Sequence, residues 1–381
     1  MNRYYYYSFL YVLLINIMMF VPNILIQNRF TGGVSSMLLA IPFGTMLVLV
    51  FSSSMTKFPG KAVPEILYER YPRWFVTPVM WVLASIYLLG SIIVLVAFSV
   101  VINRFYNPDT SSTIVLYLLI AACIYCATRT TLSLLFILEM LIIINAPLVV
   151  FVLGKALFTS DLDWDAMHTV ANYVTVKPNL DSFAAATYIF SGYLNLSILN
   201  RALPPNFRLK HRWIIPLVGT LAMFTSVFIP IGFHGTEGVD EYLFIWSITA
   251  DSMKMEFGFI ERVLFLYLIL YLNLTLLFTT FGWHKAMEFL KSTSKSYKPE
   301  LDADKTPILN WVICGSFGLL TIIYSIVVDE KQNYNIAGKW LVIRFFTEVI
   351  SAIWIFWLAY RVRSKSKSKS KINVKEQTES K

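Results

Sequence analysis

The stretch GFIERVLFLYLILYLNLTLLFTT, residues 258–280, carries no charge except Glu261 and Arg262. At a rise of about 1.5 Å per residue, roughly 20 apolar residues cross the hydrocarbon core of a bilayer, so the run predicts a transmembrane helix. A charge at the centre of such a segment costs about 2.5–3.5 kcal/mol on insertion scales. Both charges lie at the head of the run, where the cost is smaller and a long side chain can reach the head groups. Adjacent residues on a helix point about 100° apart, so the two cannot neutralise each other and each needs its own partner.

Runs of this kind recur along the whole chain. Of its 381 residues, 57% are hydrophobic and 14% charged, against about 25% charged in a soluble domain. The alternating segments of about ten residues that a membrane barrel needs are absent. The pattern predicts an all-α polytopic membrane protein of about ten transmembrane helices. They are expected near residues 4–28, 34–56, 75–103, 113–128, 131–154, 182–200, 213–233, 258–281, 307–328 and 338–360. The first run is too long for a signal-peptide core and no small-residue cleavage site follows it, so it is expected to be retained. Residues 1–363 then form one membrane domain, and 364–381 a disordered basic cytoplasmic tail.

The net charge of +9 has a topological address. Basic residues gather in alternate loops. Lys57, Lys61, Arg70 and Arg73 follow the second span, and Arg201, Arg208, Lys210 and Arg212 the sixth. Lys285, Lys291, Lys295, Lys298 and Lys305 follow the eighth, and a Ser-Lys repeat makes up the tail. The opposite loops are acidic, with Asp161, Asp163 and Asp165 in one and Glu237, Asp240 and Glu241 in another. Positive loops stay cytoplasmic, which puts both termini there. The charge therefore calls for no nucleic acid; the tail suits an anionic lipid surface. Cys123, Cys126 and Cys314 fall inside spans, and the four histidines are scattered over loops and span ends. No metal-ligand spacing, phosphate loop or catalytic triad pattern occurs, so no metal, cofactor or enzyme activity is expected.

Ten spans divide into five plus five, about residues 4–154 and 182–360. An odd number per half inverts the second half relative to the first, as in many secondary transporters, whose ligands bind mid-membrane at broken helices. The first span of each half has a breaker at a comparable position, Pro22-Asn23 and Ser191-Gly192. Proline removes an amide donor and clashes one turn back; glycine leaves helical geometry at little cost. Segment 240–253 has apolar residues at helical spacing but is too short to span. It is either an interfacial or outer-capping helix or an ordinary loop packed on the bundle.

The order of motifs resembles one family. Phe259-Ile260-Glu261-Arg262 opening a span, preceded by Leu243-Phe-Ile-Trp246, is similar to the endospore germination permease family. These are the membrane B subunits of spore germinant receptors, within the amino acid–polyamine–organocation superfamily. Tyr188-Ile-Phe-Ser-Gly-Tyr193 resembles the family's sixth span, and Leu203-Pro204 with Ile214-Ile-Pro216 its exit into the seventh. Val21-Pro22 resembles the Leu-Pro that closes the first span, and Leu277-Phe-Thr-Thr280 the end of the eighth. The similarity runs over about residues 4–364. It implies a ten-helix inverted-repeat bundle whose first and sixth helices are unwound at their middles. It also implies a small nutrient, often an amino acid, bound between them, with a larger A subunit and a C lipoprotein as partners in the inner membrane of a spore. The alternative is an amino-acid or cation transporter working by alternating access. Two departures stand out. Asn16-Ile-Met-Met-Phe-Val-Pro22 lacks the glycines the family often has there, and in Gly192-Tyr193-Leu194-Asn195 the acidic residue the family commonly has one after the Gly-aromatic pair is missing or replaced by Asn195. Both suit a bulkier, less polar pocket.

The candidate ligand-binding residues are Val21, Pro22 and Asn23 in the first span, Tyr87 in the third, Ser191, Gly192, Tyr193 and Asn195 in the sixth, and Asn273 in the eighth. Glu139, within the fifth span, is either a proton or cation site or a protonated structural carboxyl. Glu261 and Arg262 form an outer gate or a link to the outer helix, or are structural charges near the head groups and outer loops. Arg344 and Glu348, four apart in the tenth span, can pair on one helix face.

Overall fold

The computed structural model describes residues 3–106, 109, 111–204, 210–254, 262–297, 299, 301 and 306–379, with side chains as far as Val362. Glu261, the Phe259-Ile260 before it, Arg208, Lys298 and Lys305 lie outside the described residues. Among the described residues every regular element is a helix; one isolated bridge joins Lys254 and Arg262. In chain order these are α1 (Arg3–Met18), α2 (Phe20–Gln27), α3 (Val34–Met55), α4 (Val63–Tyr68), α5 (Arg73–Phe105), α6 (Ser112–Ala127), α7 (Thr131–Leu157) and α8 (Trp164–Ala171). Then follow α9 (Leu180–Tyr188), α10 (Leu196–Leu199), α11 (Ile214–Gly238), α12 (Ile245–Ser252), α13 (Val263–Ser292), α14 (Ile308–Val327) and α15 (Glu330–Glu379).

Seven of these helices are long and apolar enough to cross a membrane: α3, α5, α7, α11, α13, α14 and α15. Two bent pairs raise the number to nine: α1 with α2, bent by 49°, and α9 with the half-helix Ser191–Ala202, bent by 63°. The apolar α6 is shorter, at 16 residues. Helices satisfy their own backbone polar groups, which lipid demands. Large apolar side chains such as Leu38, Phe136, Met140, Leu221, Ile323 and Ile350 point out of the bundle; exposed Trp74 and Trp213 sit at helix starts, and Tyr360 near the end of the apolar part of α15, Glu330–Val362. Such rings favour the membrane–water interface. The whole is compatible with a multi-pass membrane protein.

Both breaks differ in detail from the sequence reading. The first falls at Met19, not at Pro22-Asn23. Pro22 has no amide to give the Met18 carbonyl four residues back, and its ring crowds that carbonyl, so the helix parts one turn earlier. The Met18 carbonyl instead accepts from the Tyr267 hydroxyl at 3.4 Å. In the second break the role of Gly192 is close approach rather than an unusual backbone. A Cβ there would lie 2.9 Å from the Phe9 carbonyl oxygen and 3.0 Å from that of Ser8, both on α1.

A larger correction concerns α13. It runs to Ser292, well past the expected end of the eighth span, and every residue from Leu277 to Phe289 is buried. Lys285 and Lys291, read above as loop charges, are therefore interior residues. Their charge lowers local hydropathy as a loop would, but partners from other elements hold them inside.

The loops after the second, sixth and eighth spans meet at one end of the bundle. Asn200 donates to the Phe58 and Lys61 carbonyls at 2.8 and 2.7 Å, and Tyr297 donates to Glu288. At the other end Arg29 pairs with Asp240 and Arg104 with Glu330, at 2.5 and 2.7 Å. There α12 packs into the bundle, its buried Trp246 donating to the Ser226 carbonyl at 2.9 Å. The segment is thus helical over Ile245–Ser252, as the helix reading expected and the loop reading did not, and that helix packs on the bundle.

Candidate functional site

Three long helices each turn one face to a common cavity. From α13 come Phe278, Gly282, Lys285 and Phe289; from α5 Val79, Leu83, Ile86, Tyr87 and Ser91; from α15 Trp340, Arg344, Thr347, Glu348 and Ser351. Steps of three and four residues keep each set on one side of its helix. Tyr11 of α1 and Tyr188, Ser191 and Asn195 of the broken sixth span close the space. Its volume is about 70 Å³, several times the roughly 10–15 Å³ that one water needs. Gly282 lets α13 approach α5 here, because a Cβ would lie 3.2 Å from the Tyr87 carbonyl oxygen. Trp340 donates to the Ile86 carbonyl at 2.9 Å, which fixes its ring across the α5 face.

Asn195 ties the site together. Its Oδ1 accepts from the Tyr11 hydroxyl at 2.9 Å and from Lys285 Nζ at 2.7 Å. Its Nδ2 donates to the carbonyls of Ser8 and Gly192, at 3.0 and 2.9 Å. An ammonium can only donate and a carbonyl only accept, which orients the amide. An aspartate could serve Lys285 but has no donor for the two carbonyls. The geometry thus explains why an amide, rather than an acid, occupies this position.

Arg344 and Glu348 form an ion pair, as their spacing predicts, and the pair straddles the break. Arg344 donates to the Ala184 carbonyl at 2.6 Å, in the last turns of α9, and lies 4.3 Å from the Tyr188 ring centre. A cation there complements the negative end of the half-helix dipole. Glu348 accepts from Ser191 at 2.9 Å, at the start of the second half-helix, where a carboxylate complements the positive end. Arg344 also donates to Ser191 at 2.6 Å.

Lys285 is the one of the missed buried charges that faces the cavity. Its side chain contacts Asn195 and the Tyr87 ring, 4.0 Å from Nζ to the ring centre, and it forms no ion pair among the described residues. Tyr11, Tyr188 and Trp340 were also missed. The available signal was the i, i+4, i+7, i+11 spacing of residues 278, 282, 285 and 289, continuing one face beyond the expected span end.

Of the expected ligand residues, the cavity brings together Tyr87, Ser191 and Asn195. Val21 lines a smaller adjoining cavity beside Met19 and Phe20. Pro22 acts by breaking the helix, and Asn23 donates to the Leu243 carbonyl outside the cavity. Gly192 faces α1, and Tyr193 packs on Phe51, ring centres 5.3 Å apart. Asn273 bonds Asn145 at 3.2 Å, joining α13 to α7. Glu139 pairs with Arg3 at 2.9 Å and takes no part in the cavity. Arg262 pairs with Asp251 at 2.9 Å, both partly exposed.

A second polar cluster lies further along α13. Arg201 pairs with Glu288 and Glu65, each at 2.6 Å, and Lys291 with Glu288 at 3.2 Å. Lys291 also donates to Asn310 at 2.9 Å. Burial, together with the Glu288 charge, pushes the Tyr297 phenol above its ordinary value. Among the described residues no three metal-ligating side chains come together. The chain matches no protein-family model and no curated protein, so the family resemblance rests on the motifs quoted above.

Proposed function

We propose that this chain is the membrane subunit of a spore germinant receptor, sensing a small nutrient at the cavity and passing a shift of the bundle to A and C partner subunits. The observation that carries the reading is the cavity itself. Polar groups from α1, α5, α13, α15 and the broken sixth span converge there on one buried space. Sensing requires different affinities for two conformations, and a broken helix held by the side chains of another is an element a ligand can bias. Counting α6 as a span makes ten, and a break in the first span of each half supports the five-plus-five inverted repeat. The gathering of basic loops at one end supports cytoplasmic termini, in the spore's inner membrane. A spore strain lacking the gene, tested against a panel of nutrients, is expected to lose its response to one chemical class. Undiminished germination with every nutrient refutes the proposal.

One observation favours transport as a second reading. The central cavity shares Tyr188, Phe278 and Trp340 with the cavity beside Val21, which shares Phe20 with a third cavity bordered by Asp329 and Glu330. Three cavities in series suit a permeation route. Concentrative uptake by the purified chain in proteoliposomes, without partners, would replace the receptor reading with this one.

A further inference from the structure

The charges around the cavity specify what it can hold, if the cavity is a ligand site as proposed above. Three charged side chains face it: Lys285, Arg344 and Glu348. The last two cancel within their own ion pair. Lys285 remains, only 5% exposed, with one hydrogen bond to Asn195 and one contact to the Tyr87 ring. An ammonium has three N–H donors, and burying it without a counter-charge is costly. We propose that the cavity binds a small apolar monoanion, a carboxylate without an amino group, whose head pairs with Lys285 and whose body lies among Tyr87, Phe278 and Phe289.

The same contacts disfavour a zwitterion. The ammonium of an amino acid needs an acceptor of its own, and Glu348 is already engaged by its counter-charge Arg344 and by the single proton of the Ser191 hydroxyl, shared between its two oxygens. Asn195 Oδ1 already accepts twice. Apart from the hydroxyls of Ser91, Ser197, Thr347 and Ser351, the remaining wall is aromatic and aliphatic, which suits a hydrocarbon body.

The test uses the full-length chain in lipid nanodiscs and two sets of compounds matched in skeleton. These are 4-methylpentanoate, leucine and 4-methylpentanamide, and 3-phenylpropanoate, phenylalanine and 3-phenylpropanamide. Kd is measured by calorimetry and ligand-induced thermal shift. The carboxylate of at least one set is expected to bind at least about tenfold tighter than its zwitterion and its amide, the worth of one charge-assisted hydrogen bond. Lys285→Met should remove that preference and Ser351→Trp should abolish binding altogether. If Lys285→Met does not fold, Lys285→Gln, which keeps a donor for Asn195, replaces it. Equal or tighter binding of the zwitterions, or a carboxylate preference that survives the loss of Lys285, overturns the monoanion assignment while leaving the cavity as a ligand site. Failure of all six to bind, or binding unaffected by Ser351→Trp, overturns the assignment and the ligand-site reading together.

Discussion

Replacing Arg201 with methionine tests how the interior charges of α13 are held. Arg201 and Glu288 have side chains only 2% exposed, and the pair is 2.6 Å apart. Glu65, the other partner, is 23% exposed, and among the described residues Lys291 brings the set to two positive and two negative charges. Without Arg201 the described residues of the cluster carry one negative charge more than positive, and among them Glu288 keeps Lys291 and the Tyr297 hydroxyl. Breaking a buried pair from one side costs about 3–5 kcal/mol, because it strands a charge. At roughly 2 °C per kcal/mol for a large chain, detergent-solubilised protein followed by tryptophan fluorescence should melt about 6–10 °C lower. The double variant Arg201→Met/Glu288→Met removes one charge of each sign. Replacing a whole pair by apolar groups of similar volume is often neutral, so it should recover most of the loss. A single variant as stable as the parent refutes the reasoning, and so does a double variant no better than the single.

Three further outcomes follow from the geometry. Gly192→Ala should lose about 1–3 kcal/mol by overpacking against the α1 backbone. Gly315→Ala, where no heavy atom lies within 4 Å of an added Cβ, should gain roughly 0.5–1 kcal/mol; equal melting temperatures for the two contradict the close approach. Asp163→Ala removes the side chain that accepts from the Asp165 and Ala166 amides at 2.9 and 3.1 Å. The loss of that cap, about 1 kcal/mol, should speed amide exchange in α8, and unchanged protection there counts against it. Pro22→Ala restores a donor for the Met18 carbonyl and should reduce the bend between α1 and α2, read as a longer spin-label distance across Met19. A bend of unchanged size means that packing, not proline, sets it.

Much of the fold was legible in the sequence because its cause is local. Apolar runs of bilayer length imply helices whatever their neighbours, and Val34–Met55 and Ile308–Val327 fall within about a residue of expectation. Pro22 acts on a carbonyl four residues back, so a break could be read from sequence, though it was placed a turn too late. The Arg344–Glu348 pair was equally visible, since four residues of helix bring the two together. What those two charges face was not visible, because Ala184 and Ser191 come from a distant part of the chain.

Lys285, Glu288 and Lys291 mark the boundary between the two kinds of information. Read locally, three charges after an apolar run end a span. In the folded chain Asn195, Arg201 and Asn310, from two other elements, supply their partners, and α13 continues through them. Glu139 shows the reverse: an isolated intramembrane carboxylate in the sequence, it is met by Arg3 at the start of the chain. The sequence by itself determined which segments are helical and, to within about a turn, where the first of them breaks, because hydrogen bonds and hydropathy act over a few residues. Only the tertiary structure decided which buried charges are cancelled and which, like Lys285, face a cavity, because a charge's cost depends on partners that only folding brings near.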